Sequence, residues 1–104
     1  MSDLNLLVVG AGGREHAIAW SLAKSPRTRC VYVAPGNAGT SMENKIENVA
    51  IDPMDFEQLS QFAKDNNCAL SVIGPEAPLV AGIVDYFEQR GLPCFGPKKE
   101  AAQL

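Results

Sequence analysis

Apolar residues fall along this chain in short blocks whose character alternates. Leu4-Asn5-Leu6-Leu7-Val8-Val9 is almost continuously apolar, the pattern of a parallel strand covered on both faces. In the next block Ile18 and Leu22 stand four apart with Ala17, Ala19 and Trp20 beside them, so the spacing predicts a helix over 17–24. Ser25-Pro26 ends it, because proline cannot extend the hydrogen-bond ladder and restricts its predecessor. A second strand is expected over 30–34, followed by a loop of turn formers over 35–40. A third strand is expected over 46–51, interrupted by Glu47 and Asn48. Asp52-Pro53 then reads as an N-cap with proline at the first helical position. Phe56, Leu59 and Ala63, with Phe62 alongside, carry that helix to Asn66-Asn67. Residues 70–73 read as a fourth strand, 74–78 as a loop, and Val80, Ile83, Val84 and Phe87 as a helix closed by Gly91. A short fifth strand over 92–95 completes the series.

Strict alternation of strand and helix calls for a parallel sheet with right-handed crossovers. The expected fold is therefore α/β: a Rossmann-like, doubly wound parallel sheet of about five strands with helices on both faces. In the common strand order 3-2-1-4-5, the loops after strands one, two and four share the carboxyl edge where strand order reverses. Residues 10–14, 35–40 and 74–78 would then converge on one crevice, and they are the segments richest in glycine and proline.

Composition narrows the partners. With 104 residues, 46% hydrophobic and 20% charged, the chain reads as one ordinary globular domain. A net charge of −3, with Lys98-Lys99 the longest basic run, argues against nucleic acid. No apolar run reaches the ~18 residues of a membrane span, and the acidic N-terminus is unlike a secretory signal. Cys30, Cys68 and Cys94 are odd in number and form no C-x-x-C pair, so buried free thiols in a reducing cytoplasm are expected. One histidine is too few to complete a metal site with them.

The stretch Gly10-Ala11-Gly12-Gly13-Arg14-Glu15-His16 links the first strand to the first helix. Glycines let the backbone approach a ligand, and the free N–H groups of a helix's first turn favour an anion. The N–H groups of Gly12 and Gly13, with the Arg14 side chain, are thus expected to meet phosphate or ribose, unless Arg14 is only a solvated charge. A dinucleotide fingerprint would need a third glycine at position 15 and an acidic residue ending the second strand; the chain has Glu15, and Val33-Ala34-Pro35. A dinucleotide-binding oxidoreductase fragment therefore remains only a rival reading, as does a free-standing regulatory module. Glu15 either complements the helix dipole or contacts an amine or sugar hydroxyl. His16 is either structural or a ligand contact, and no nucleophile is paired with it. Asn37, Gly39 and Thr40 either satisfy a turn or line one flank of the crevice. Glu76, after Gly74-Pro75, either recognises a hydroxyl or amine at the opposite flank or is a solvated charge. No catalytic triad is supported by these residues.

V-V-G-A-G-G-R-E-H-A at 8–17, A-P-G-N-A-G-T at 34–40 and G-P-E-A-P-L-V at 74–80, taken together, resemble the phosphoribosylamine–glycine ligase family. These enzymes are also called glycinamide ribonucleotide synthetases. The resemblance runs through the whole chain, as the N-terminal domain that precedes an ATP-grasp portion. It implies that residues 1–104 are the substrate-side domain of a longer ligase in purine biosynthesis. In that reaction glycine is activated as an acyl phosphate with ATP, and the nitrogen of 5-phosphoribosylamine attacks it. ATP and magnesium or manganese would bind outside this chain, in the missing ATP-grasp portion, and the chain alone would be inactive. Residues 98–104, which read as the opening of a helix without a C-cap, would be where one domain hands over to the next.

Overall fold

The computed structural model describes residues 4–96, so the expectation for residues 98–104 lies outside the described residues. The chain alternates as β1 (Leu4–Gly10), α1 (Gly13–Ala23), β2 (Thr28–Pro35), α2 (Ala38–Ser41), β3 (Ile46–Asn48), α3 (Phe56–Asp65), β4 (Cys68–Ile73), α4 (Glu76–Val80), α5 (Ile83–Glu88) and β5 (Cys94–Phe95). All four strand pairings are parallel, in the order β3-β2-β1-β4-β5. This is the expected doubly wound order. β1 lies at its centre, paired with β2 on one side and β4 on the other.

The near-continuous apolar run of β1 is explained by burial on both faces. Leu7 and Val9 join a core with Ala34, Leu59, Ala63, Ile73, Ile83 and Phe87, which brings α3 and α5 against one face. Leu6 and Val8 point the other way, into a core with Ala19, Val31, Val33 and Ile46, where Ile18 and Leu22 of α1 also pack. Leu7, Val8 and Val9 are 0% exposed, and burying each such side chain contributes about 1.5–3 kcal/mol. The first core also holds an edge-on pair, Tyr32 against Phe62, with ring centroids 4.9 Å apart.

Several boundaries differ from the expected ones for local reasons. α1 begins at Gly13 rather than near residue 17, because Glu15 caps it from within. α3 begins after Asp55, whose side chain accepts from the Gln58 N–H at 3.1 Å; Asp52 instead forms a turn, accepting from the Met54 N–H at 2.8 Å. The helix expected from Val80 is two short ones, α4 and α5, separated at Gly82, whose φ of 96° breaks the helical course. α2, inside the segment expected to be a loop, was not legible from periodicity. β3 stops at Asn48, three residues short of the expected end. The closure at Gly91 is as expected: it adopts φ 72°, and the Leu92 N–H bonds back to Phe87 O at 3.0 Å.

The thiols are unpaired, as expected, although only Cys68 is fully buried; Cys30 and Cys94 are half-buried. Burial pushes Cys68 up to about 11 and Cys94 up to about 12, from an ordinary 9.0, with Cys30 and Glu88 as the respective lesser contributors. Among the described residues, no helix is long and apolar enough to cross a membrane.

Candidate functional site

The carboxyl edge of the sheet brings the loops after β1, β2 and β4 together, and hydrogen bonds tie them. The Gly36 N–H donates to Gly10 O at 3.1 Å, and the Gly74 N–H donates to Val9 O at 3.1 Å. The Asn37 carboxamide donates through Nδ2 to Ala11 O at 2.7 Å. Arg14 donates through Nη2 to Gly74 O. Each expected loop therefore touches the first.

Glu15 organises the first loop. Its N-cap residue, Gly12, has no side chain with which to cap α1. Glu15 reaches back from the first turn, and its Oε1 accepts from the Gly12 N–H at 3.0 Å. Only 6% exposed, the side chain lies between the ends of β1 and β4. It fits because β1 ends in glycine and a glycine directly follows β4. A Cβ on Gly74 would stand 2.5 Å from Glu15 Cδ and Oε2, and one on Gly10 would stand 2.5 Å from Oε1. Gly10 also adopts φ 141°, which a side chain would strain. Arg14 Nε lies 3.4 Å from Glu15 Oε2, so the guanidinium braces the carboxylate and the β4 loop together.

The second loop is held by a compact polar network. Asn37 caps α2, its Oδ1 accepting from the Thr40 N–H at 3.0 Å. Thr40 is 0% exposed; its Oγ1 accepts from the Asn37 N–H at 2.8 Å and lies 2.6 Å from Asn48 Oδ1. Asn48 Nδ2 donates to Asn37 O at 2.8 Å. His16 packs its ring on Gly39, where a Cβ would stand 2.8 Å from His16 Cε1, and its Nε2 lies 2.8 Å from Glu43 Oε2. A pocket of about 240 Å³ opens beside this pair, lined by Gly13, His16, Ala17, Trp20 and Glu43.

In the third loop Gly74 is buried, Pro75 is the N-cap of α4, and Glu76 is exposed in its first turn. The expected residues thus divide. Gly12, Gly13, Arg14 and Glu76 are exposed, while His16, Asn37, Gly39 and Pro75 are half-buried. Gly10, Glu15, Thr40 and Gly74 lie beneath the surface and shape it from behind. Two of the expected residues are engaged internally. Thr40 is committed to the interior and has no exposed surface to line a flank. The Gly12 N–H, expected to meet a phosphate, is already bonded to Glu15; the first intrahelical bond runs from the His16 N–H to Gly12 O, which leaves the N–H groups of Gly13, Arg14 and Glu15 as the remaining first-turn donors.

Sequence reasoning passed over Glu43 and Asn48. Asn48 interrupted an apolar strand, and that interruption was the one available signal of a buried polar partner. The assembled edge offers backbone N–H groups, a guanidinium, a carboxamide and a carboxylate, which suits a small ligand carrying phosphate and hydroxyls. No acidic residue ends β2, which closes with Val33-Ala34-Pro35, so the ribose contact that a dinucleotide site requires is missing.

Comparison with known proteins agrees with the sequence resemblance. The family model for the phosphoribosylglycinamide synthetase N domain matches residues 4–104. A phosphoribosylamine–glycine ligase of Pseudomonas syringae pv. tomato is 60% identical over 101 residues, covering 97% of this chain and 23% of that protein. Those of Pasteurella multocida and Vibrio cholerae serotype O1 are 57% and 52% identical, each over 97% of this chain and 24% of the relative. The chain spans about a quarter of the length of these relatives. With a family match over nearly its whole length and relatives above half identity, the chain belongs to the phosphoribosylglycinamide synthetase N-domain family.

Proposed function

We propose that this chain forms one wall of the phosphoribosylamine site in an ATP-dependent ligase of purine biosynthesis, acting as the substrate-side N-terminal domain, residues 1–104. The ligase joins the amine of 5-phosphoribosylamine to the carboxylate of glycine, in keeping with the phosphoribosylamine–glycine ligases among its relatives. ATP supplies the phosphoryl group that activates the glycine carboxylate and leaves as phosphate when the C–N bond forms. In this reading ATP and its magnesium or manganese are held by the ATP-grasp portion of the ligase, outside this chain. No chemical step is assigned to side chains here. Their work is to bind and orient.

The observation that carries this reading is the tying of three loops into one edge by Arg14 and Asn37. In the reading, Gly13 and Arg14 present donors to the phosphate or ribose. Asn37 and Gly39 border one flank, Pro75 and Glu76 the other, and His16 closes the side toward Glu43. Gly10, Gly12, Glu15, Thr40 and Gly74 hold those groups in place. The location that suits this chemistry is the cytoplasm.

The test is steady-state kinetics on the full-length ligase carrying Arg14→Ala. A hydrogen bond to a charged group is worth about 1.5–3 kcal/mol, so KM for phosphoribosylamine should rise about 10- to 100-fold. KM for ATP and for glycine should hold. An unchanged KM for phosphoribosylamine would remove Arg14, and the first loop with it, from the site. Incubated with all three substrates, the 104-residue chain alone should release no phosphate above buffer.

A further inference from the structure

Glu15 does more than cap a helix. It occupies the place where this kind of fold turns backbone N–H groups toward a ligand's phosphates: the N-terminus of the first helix, between the ends of adjacent parallel strands. The Gly12 N–H is taken by Oε1 at 3.0 Å, and the space over Gly10 and Gly74 is filled by the same side chain. The carboxylate is also negative, and Arg14, the nearest cation, already faces it through Nε. The innermost donor and the space beside it are therefore engaged internally, next to a negative charge.

We propose that Glu15 is a specificity-determining residue: an internal anion that closes this edge to pyrophosphate-bearing ligands such as dinucleotides. Three separate features carry this. The side chain is 6% exposed, so it does not swing in solvent. Two glycines at the ends of different strands, Gly10 closing β1 and Gly74 just after β4, both leave it room, so its seat is built by the fold and not by its own helix. The one first-turn donor that it takes, the N–H of Gly12, is the one on the helix's N-cap residue. A ligand with one phosphate can be held at the rim by Gly13 and Arg14. A second phosphate group, set deeper toward the strand ends, meets the carboxylate.

The experiment is amide-shift mapping of the 104-residue chain titrated with inorganic pyrophosphate, comparing wild type, Glu15→Ala and Glu15→Gln, with circular dichroism confirming the fold of each. In Glu15→Ala the anion can take over the freed Gly12 N–H, and removing an adjacent like charge should tighten pyrophosphate binding by about tenfold or more. The shifts should centre on Gly12, Gly13 and Arg14. Wild type should respond there only at about tenfold higher pyrophosphate, and with no shift at Gly12. Glu15→Gln keeps the shape and the cap but not the charge, and should bind more tightly than wild type and more weakly than Glu15→Ala. A folded Glu15→Ala that binds no more tightly than wild type overturns the proposal, as does a wild type that responds equally. If Glu15→Ala does not fold, Glu15→Gln decides alone, and equality with wild type overturns it. No ligase substrate enters this titration, so its outcome is separate from that of the ligase reading.

Discussion

Gly74→Ala is the sharpest perturbation of this structure, because one methyl group is added at the end of a strand and meets one side chain. Gly74 does not adopt a left-handed φ, so alanine carries no backbone penalty there. The whole cost arises from contact: the new Cβ would stand 2.5 Å from Cδ and Oε2 of Glu15. That side chain is buried, and its retreat would break the bond from the Gly12 N–H and the contact with Arg14. Overpacking of this kind costs about 1–3 kcal/mol. Glu15→Ala alone, which loses a charge-assisted cap, should cost about 1–2 kcal/mol. The double variant has no carboxylate for the methyl group to strike. Its loss should therefore be close to that of Glu15→Ala alone, a coupling of about 1–3 kcal/mol.

Urea denaturation followed by circular dichroism measures all four proteins. With a slope of about 1.5 kcal/mol per molar, a 2 kcal/mol loss moves the midpoint by about 1.3 M, well outside experimental scatter. If the two substitutions add to within about 0.5 kcal/mol, the methyl group and the carboxylate do not meet, and the packing of Glu15 over Gly74 is wrong. That result would also undercut the seat on which the pyrophosphate proposal depends.

Three further outcomes are expected. Asn48→Ala removes the hydrogen bonds of its carboxamide to Asn37 O and Thr40 Oγ1, which keep the Ser41 N–H and the Asn37 N–H as partners; for two lost bonds a loss of about 1–3 kcal/mol by the same denaturation assay is expected, and a neutral result would mean that the network is dispensable. Phe87→Ala, which empties a 0% exposed site in the core between the sheet and α5, should cost about 3–5 kcal/mol; under 1 kcal/mol would contradict the packing. The Cys68 thiol, raised from 9.0 to about 11 by burial, should carry about 100-fold less thiolate at pH 8 than an exposed cysteine. Its alkylation by iodoacetamide, read by mass spectrometry, should be slow until urea unfolds the chain. Because the folded value is raised, the stabilising preference for the neutral thiol is complete below about pH 9 and is lost as pH climbs toward 11.

The sheet was legible because its signal is redundant. The central strand is apolar on both faces, every crossover is separated by a turn former, and parallel topology allows few strand orders. The short elements were not. α2 and α4 have 4 and 5 residues, too few for a period to register, and each is defined by its cap. The side chain of Asn37 caps α2, and Pro75 opens α4 in extended geometry. Asp52 and Asp55 are equally good caps by residue type, and only the packing of Phe56 and Leu59 against the sheet decides between them.

The site was legible as a place but not as a set of contacts, and Glu15 shows why. From sequence, a glutamate at the mouth of a glycine loop reads as a partner of the helix dipole or as a ligand contact, although its charge opposes the anion that the glycines invite. The reason for it lies 59 residues away, in Gly74, whose missing side chain gives the carboxylate its room. Gly10, Gly12 and Gly74 therefore serve Glu15 as much as any ligand: one by its left-handed φ, one by its N–H and one by its vacancy. A glycine-rich loop can be an invitation to phosphate or the cradle of an internal carboxylate, and the local motif is the same in both. What separates them is a partner on another strand, which no local pattern contains. The same holds for Thr40, whose hydroxyl reads as a site group beside Gly39 until Asn48 on β3 is found to draw it inward.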